Sequence, residues 1–263
     1  VQLTARQNEI LARIRREGRV EVETLAAGFN VTTQTIRRDL NLLSERGLAA
    51  RVHGGARFTN SISNVGYEER RSQASAAKEA IGARTAALIP DSCSVMLNIG
   101  TTTEQVARAL AGHDDLVVIS NNVNVINTLI GSSAKELILA GGVVRPTDGA
   151  IVGEEAVDFI SRYKVDYAVI GASAIDIDGA VLDYDSREVS VARAILRNAR
   201  ARILVSDALK FDRSAPVRIC DIAEIDIFVT DRGPPDPFME AAARGETEVL
   251  IAEPGLEALD DCA

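Results

Sequence analysis

An α/β fold in two parts is what this 263-residue sequence predicts: a small helical N-terminal domain closed by a β-hairpin, then a larger domain on a mainly parallel sheet. Three observations carry that reading. The net charge of −9 is unevenly spread: residues 1–58 hold ten arginines, no lysine and six acids, a net +4, while the remainder holds 19 basic and 32 acidic residues, a net −13. Three short helical patterns up to residue 46 are followed by a Gly54-Gly55 turn. Beyond residue 76, strand-like apolar runs alternate with amphipathic helical ones.

The first helix spans Ala5 to Arg16, where Ile10, Leu11 and Ile14 recur at helical spacing until Gly18 ends the pattern. A second fits Val22 to Phe29, with Val22, Leu25, Ala26 and Phe29 on one face, and Asn30 marks a tight turn. Thr32 reads as the N-cap of the third helix, accepting from the Thr35 amide, with Val31 and Ile36 as a hydrophobic staple. Ile36, Leu40 and Leu43 form its inward stripe. At 100° per residue, Gln34, Arg38 and Asn41 lie within about 40° of the opposite direction, flanked by Thr35 and Arg37. Such a helix, entered through a short helix and a tight turn, is the second member of a helix-turn-helix, whose N-terminal residues meet base edges in the major groove. In "LAARVHGGARF" a hairpin, or wing, carries Arg51, His53 and Arg57 toward phosphates. The candidate DNA contacts are Thr32, Thr33, Gln34, Thr35, Arg37, Arg38, Asn41, Arg51 and His53. A merely solvated Arg37-Arg38 pair is the alternative, and His53 equally suits a turn.

Domain 1–58 is followed by a polar segment without sustained period, 59–75, expected as a linker. In the domain 76–263, "SVMLNI", "EQVARAL", "LVVIS", "VINTLI", "ELILA", "DYAVIGA", "SVARAILRNA", "RILVSD", "DIFVTD", "FMEAAA" and "EVLIA" give the alternation of a helix-covered parallel sheet, which binds ligands at the carboxyl ends of its strands. Polar residues fall at those ends: Gly100 with Thr101, Thr102 and Thr103 at a helix N-terminus, where an anion is favoured, then Ser120, Asn121 and Asn122, then Gly141, Gly142 and Arg145, then Asp207 and Lys210. The Walker A spacing is absent. Together these groups suit a phosphorylated polyol, although Gly-Thr-Thr-Thr alone is also an ordinary cap, and Arg145 and Lys210 each also read as surface charges. Cys93, Cys220 and Cys262 are odd in number and lack C-x-x-C spacing, which argues against a disulfide framework, a zinc site or a metal cofactor. No apolar run approaches the roughly 20 residues of a membrane span, and "VQLTARQNEI" lacks the apolar core of a signal peptide, so a cytoplasmic protein is expected.

The segments "RQNEILARI", "TTQTIRRDLNLLSERG" and "RVHGGA" resemble the N-terminal winged helix-turn-helix domain of the DeoR family of bacterial transcriptional regulators. That resemblance implies DNA contact by Thr35, Arg37 and Arg38, with Asp39 orienting the arginines. The larger domain, through "IGTTTE", "SNN", "AGG" with Arg145, "GASAID", "DYDSREV" and "DALKF", is similar to the family's effector domain, which shares a fold with ribose-5-phosphate isomerase. The implied ligand set is Gly100, Thr101, Thr102, Thr103, Ser120, Asn121, Asn122, Gly142, Arg145, Asp183, Glu188 and Lys210. Asn98 stands where the family often has Asp, which puts any acid role there in doubt. Within the family, "DGAVLDYDSREVSVARAILRNAR" is most like repressors of glycerol-3-phosphate metabolism. The expected protein is thus a repressor of a carbon-metabolism operon that binds double-stranded operator DNA as a homo-oligomer, dimer or tetramer, without a membrane partner. A phosphorylated metabolite, best matched by glycerol 3-phosphate, would relieve it. The alternatives are another sugar phosphate, activation instead of repression, and an aldose-ketose isomerase. The last is disfavoured because the isomerases' Asp-Gly-Ala-Asp aligns its two acids with Ile170 and Ser173, leaving Asp176, Asp178, Asp183 and Asp185 nearby for turn chemistry around Gly179.

Overall fold

A computed structural model describes residues 3–17, 19–45, 48–52, 54–58 and 66–253. The chain divides into two compact units, Val1–Ser61 and Ile62–Ala263.

In the first unit α1 (Ala5–Glu17), β1 (Arg19–Glu21), α2 (Val22–Phe29) and α3 (Thr33–Glu45) precede the hairpin β2 (Ala49–Val52) and β3 (Gly55–Phe58). The antiparallel sheet runs β1-β3-β2. Ile10, Ile14, Val20, Leu25, Ile36, Leu40 and Leu43 close one apolar core, so the i, i+4, i+7 stripe of α3 is indeed its inward face. Asn30 takes the left-handed conformation (φ 51°, ψ 48°), and the Val31 amide reaches back to the Ala26 carbonyl at 3.0 Å, which stops α2 and redirects the chain. Thr32 then caps α3, its Oγ1 accepting from the Thr35 amide at 3.2 Å. Strand β1 has no counterpart in the sequence reading. It exists only by pairing with β3, and Gly55 permits the approach, since a Cβ there would lie 2.0 Å from the Val20 carbonyl oxygen.

Of the expected linker 59–75, residues 59–65 lie outside the described residues, and the rest is ordered. It forms α4 (Tyr67–Ser72) and the start of α5 (Ser75–Ala86). The sequence reading did not foresee this helix because "YEERRS" has no apolar stripe: α4 buries none of its residues and is held by polar contacts.

The second unit continues with β4 (Ser94–Leu97), α6 (Thr101–Leu110), β5 (Val117–Ser120), α7 (Val123–Leu129), β6 (Glu136–Leu139), α8 (Glu154–Ile160), β7 (Val165–Ile170), β8 (Ala174–Ile175), β9 (Ala180–Asp183), α9 (Ser186–Arg197), β10 (Ala199–Val205), β11 (Val217–Asp221), β12 (Ile227–Thr230), α10 (Asp236–Arg244) and β13 (Glu248–Ile251). Seven strands form a wholly parallel sheet in the order β13-β12-β10-β7-β4-β5-β6. Side chains alternate between its faces. Val95, Leu97, Val169, Ile203 and Val205 pack with Ile81 of α5, Val106 and Leu110 of α6 and Leu129 of α7. Met96, Ala168, Ile170, Leu204 and Phe228 pack with Ile160 of α8, Ile195 of α9 and Phe238 of α10. The small antiparallel sheet β11-β9-β8 and helix α8 were not expected. Among the described residues no helix is long and apolar enough to cross a membrane, and no cluster of three or more metal-binding side chains occurs.

Because Leu40 is fully buried, Leu40→Ala is expected to cost the first unit about 2–5 kcal/mol. Urea unfolding followed by circular dichroism checks this. A loss well under 1 kcal/mol, about the cost of a surface change, would contradict the core assignment.

Candidate functional site: a recognition helix and a polar crevice

On α3, Thr32, Gln34, Arg37, Arg38 and Asn41 are exposed and Thr33 and Thr35 half-buried. The Thr32 and Thr35 hydroxyls lie 2.9 Å apart and are shared by the cap. Asp39 departs from expectation. It is 5% exposed, on the inner side of the helix, where its Oδ2 accepts from Arg6 Nε at 2.7 Å and its Oδ1 from Gln7 Nε2 at 2.8 Å. Burial without a partner would be costly, so this carboxylate fastens α1 to α3 and leaves Arg37 and Arg38 to themselves. Arg51 lies on β2 with its side chain outside the described atoms, and His53 lies outside the described residues.

In the larger unit the strand order reverses between β4 and β7: β5 and β6 build outward on one side of β4, and β10, β12 and β13 on the far side of β7. Loops leaving the carboxyl ends of such neighbours diverge and open a crevice. A cavity occupies that place, lined by Asn98, Ile99, Gly100, Thr101 and Thr102 after β4, Gly171, Ala172 and Ser173 after β7, and Lys210 after β10. Gly100 holds φ at 139°, a value L side chains rarely adopt, and so turns the chain into α6. The first-turn amides of α6 have no intrahelical acceptor.

The other expected ligand residues divide into two groups. Asp183 and Glu188 line the cavity with Gly100, Thr101, Thr102 and Lys210. Thr103, Ser120, Asn121, Asn122, Gly142 and Arg145 do not, because local bonding consumes several of them. Thr103 donates to the Gly100 carbonyl at 2.7 Å, and Ser120 donates to the Leu97 carbonyl at 2.7 Å. Asn121 Nδ2 donates to the Ile151 carbonyl, while Asn122 caps α7 and donates to Glu104. Gly142 packs so that a Cβ would lie 2.9 Å from Ile151. Arg145 is paired with Asp148 at 2.6 Å and Glu188 at 2.5 Å. It therefore holds those two carboxylates in place.

Tyr67, Arg70, Asn98, Glu104, Asp148 and Ser173 also line the cavity, and none was in the sequence-derived ligand set. Three of them had a signal: Asn98 by its departure from the family pattern, Glu104 within "IGTTTE" and Ser173 by its alignment with an isomerase acid. Asn98 Oδ1 is buried and without a hydrogen-bond partner, in a residue 4% exposed. Glu104 is buried but well supplied with donors: the Tyr67 hydroxyl at 2.8 Å, Asn122 Nδ2 at 3.1 Å and Asn124 Nδ2 at 3.0 Å.

Charge is held here against solvation. Burial lowers Lys210 to about 7, reinforced by the positive charges of Arg213, Lys78 and Arg70 and opposed by Asp207. Burial raises Glu188 to about 7, with Asp183 adding to the shift and Arg145 opposing it, and burial likewise raises Asp183, whose Oδ1 accepts from the Ser173 hydroxyl at 3.0 Å. Glu188 thus favours the fold at low pH and loses that contribution as pH rises through about 7. Lys210 acts oppositely: its burial penalty is full below about 7 and fades as pH rises toward the ordinary lysine range.

A helix-turn-helix unit followed by an α/β unit with a polar crevice at its strand ends is the build of a ligand-responsive DNA-binding regulator. The DeoR-like helix-turn-helix domain matches residues 6–62 and the DeoR C terminal sensor domain residues 73–232, and the chain belongs to the DeoR family of transcriptional regulators. It is similar to the glycerol-3-phosphate regulon repressor of Escherichia coli (strain K12), 42% identical over 90% of this chain and 94% of that protein. The repressor of the same name from Haemophilus influenzae is 41% identical over 86% and 88%, and the HTH-type transcriptional repressor CsqR of Escherichia coli (strain K12) 34% over 94% and 95%. All three of these relatives are named as repressors. Among solved structures, ribose 5-phosphate isomerase from Plasmodium falciparum aligns over 51% of each chain at 11% identity and a TM-score of 0.37.

Lys210→Met is expected to raise the melting temperature of the ligand-free protein most at about pH 6, with the gain shrinking toward about pH 9. Thermal unfolding across that range checks the sign, and a gain that grows with pH would show that Lys210 is not held protonated against its burial.

Proposed function

We propose that this repressor is relieved by a small phosphorylated polyol, with glycerol 3-phosphate the best match, bound in the crevice between β4 and β7. The carrying observation is the pairing of a buried ammonium, Lys210, with the N-terminus of α6 at one cavity. No ion pair of Lys210 occurs among the described residues. A phosphate there accepts from the free first-turn amides and the Thr101 and Thr102 hydroxyls, and its charge restores the lysine proton. Asp183, Glu188 and the unpartnered Asn98 Oδ1 offer acceptors to the hydroxyls of the polyol. The name of the 42%-identical relative points the same way. The alternative, a different sugar phosphate, keeps the phosphate contacts and changes the fit at Asn98, Asp183 and Glu188.

On the DNA side, Gln34, Arg38 and Asn41 read base edges, with Thr35 and Arg37 flanking them and Thr32, Thr33, Arg51 and His53 supporting backbone contact. The protein acts as an oligomer, dimer or tetramer, because one winged helix spans few base pairs. Release requires that the ligand prefer one arrangement of the reading heads, and operator must then weaken ligand binding by the same factor.

Titrating the full-length protein at fixed salt with a fluorescent fragment from upstream of its own gene, with and without glycerol 3-phosphate, tests this reading. Tight binding released by the metabolite is expected, and binding indifferent to it rejects the effector. Arg38→Ala is expected to lose specific binding while glycerol 3-phosphate affinity stays at the wild-type value. Full operator affinity in that variant would remove Arg38 from the reading face.

A further inference from the structure

We propose that Arg70, on α4, is an effector-binding residue, so that the segment leading out of the DNA-reading unit is itself part of the sensor. The proposal rests on the crevice being the effector site and adds to it a residue outside the sheet's strand ends.

Arg70 lines the cavity together with Gly100, Thr101, Thr102 and Lys210. Its Nε is buried and has no hydrogen-bond partner. Its ion-pair neighbour among the described residues, Asp148, is 3.8 Å away, and that carboxylate is already engaged by Arg145 at 2.6 Å. A guanidinium presents its Nε and one terminal nitrogen as a fork matched to two oxygens of a phosphate. An Arg that has an unmade bond and shares a cavity with a helix N-terminus is therefore suited to form half of a phosphate clamp, of which α6 and Lys210 form the other half.

The placement of α4 gives the contact its regulatory content. It begins nine positions after the last residue of β3. No residue of α4 is buried, so apolar packing does not fix it to the sheet domain. Its attachments are polar and surround the cavity: the Tyr67 hydroxyl donates to Glu104 Oε1 at 3.0 Å and Oε2 at 2.8 Å, and Lys78 Nζ donates to the carbonyls of Arg70 and Gln73. A ligand phosphate that completes the bonding of Arg70 adds one more tie to this short helix. It thereby favours the arrangement in which α4 is seated, which is how binding energy is converted into a population shift upstream.

The test uses the full-length protein and glycerol 3-phosphate as probe, with inorganic phosphate in parallel. Calorimetry gives affinity for wild type, Arg70→Met and Arg70→Lys, and operator anisotropy with and without the probe gives the release ratio. Arg70→Met is expected to weaken probe binding by about tenfold or more, the scale of a lost hydrogen bond to a charged group, and to bring the release ratio toward one. Arg70→Lys, which keeps the charge but lacks the fork, should fall between. A purely structural role would lower the ligand-free melting temperature and leave affinity unmoved. Wild-type affinity in the Met variant, or in the Lys variant if the former does not fold, overturns the proposal, while the crevice reading survives if the same calorimetry shows Lys210→Met weakening probe binding. Failure of the wild-type protein to bind either probe overturns both.

Discussion

The reversal of strand order between β4 and β7 is the constraint on which the sensor unit depends. Within the sheet every strand finds its partners, and the two apolar cores cover both faces. At the reversal the loops part, so the polar groups at the strand ends lose the neighbours that the ladder supplies elsewhere. Asn98 Oδ1 and Arg70 Nε lie buried there without hydrogen bonds, and Lys210 is only 8% exposed. Each of these is unfavourable in isolation. Asn121 Oδ1 and Thr230 Oγ1 are also buried without partners, away from the cavity lining, but only at the crevice do such atoms coincide with a buried lysine, the kind of clustering that points to function.

The N-terminal unit solves the opposite problem. Its buried carboxylate, Asp39, is satisfied by Arg6 and Gln7, and its inner stripe is apolar. Its donors stand on the outside of α3, already in water. One half of the molecule offers a finished surface, whereas the other keeps bonds open inside.

The recognition helix was legible in the sequence because its determinants are local. The Thr32 cap, the Asn30 turn and the stripe of Ile36, Leu40 and Leu43 all act within a few residues. The strand and helix alternation of the larger unit was legible for the same reason. Elements that exist only by distant pairing were not. Strand β1 needs β3, and β9 needs β11, whose register joins Asp183 to Val217. At the site, Lys210 and Arg145 looked equivalent as strand-end cations. The difference is that Asp148 and Glu188 reach Arg145, while the described carboxylates leave Lys210 without an ion pair. The Ser120-Asn121-Asn122 run carried the composition of a ligand loop but spends much of its bonding on capping and cross-links. Tyr67 and Arg70 were hidden because a wholly polar helix leaves no periodic trace.

The division of labour around α3 has a consequence for how such proteins diversify. The side that folds the domain, through Asp39, Ile36, Leu40 and Leu43, shares no residue with the outward side bearing Gln34, Arg38 and Asn41. After gene duplication, a copy is free to change those outward positions at little thermodynamic penalty, since exposed substitutions usually change stability by only about half a kcal/mol, and on the proposed reading such changes would alter its preferred DNA sequence. The same copy has no such freedom at Gly55, where β3 passes the Val20 carbonyl too closely for any side chain. Divergent target sites on a shared scaffold are the natural history this geometry permits.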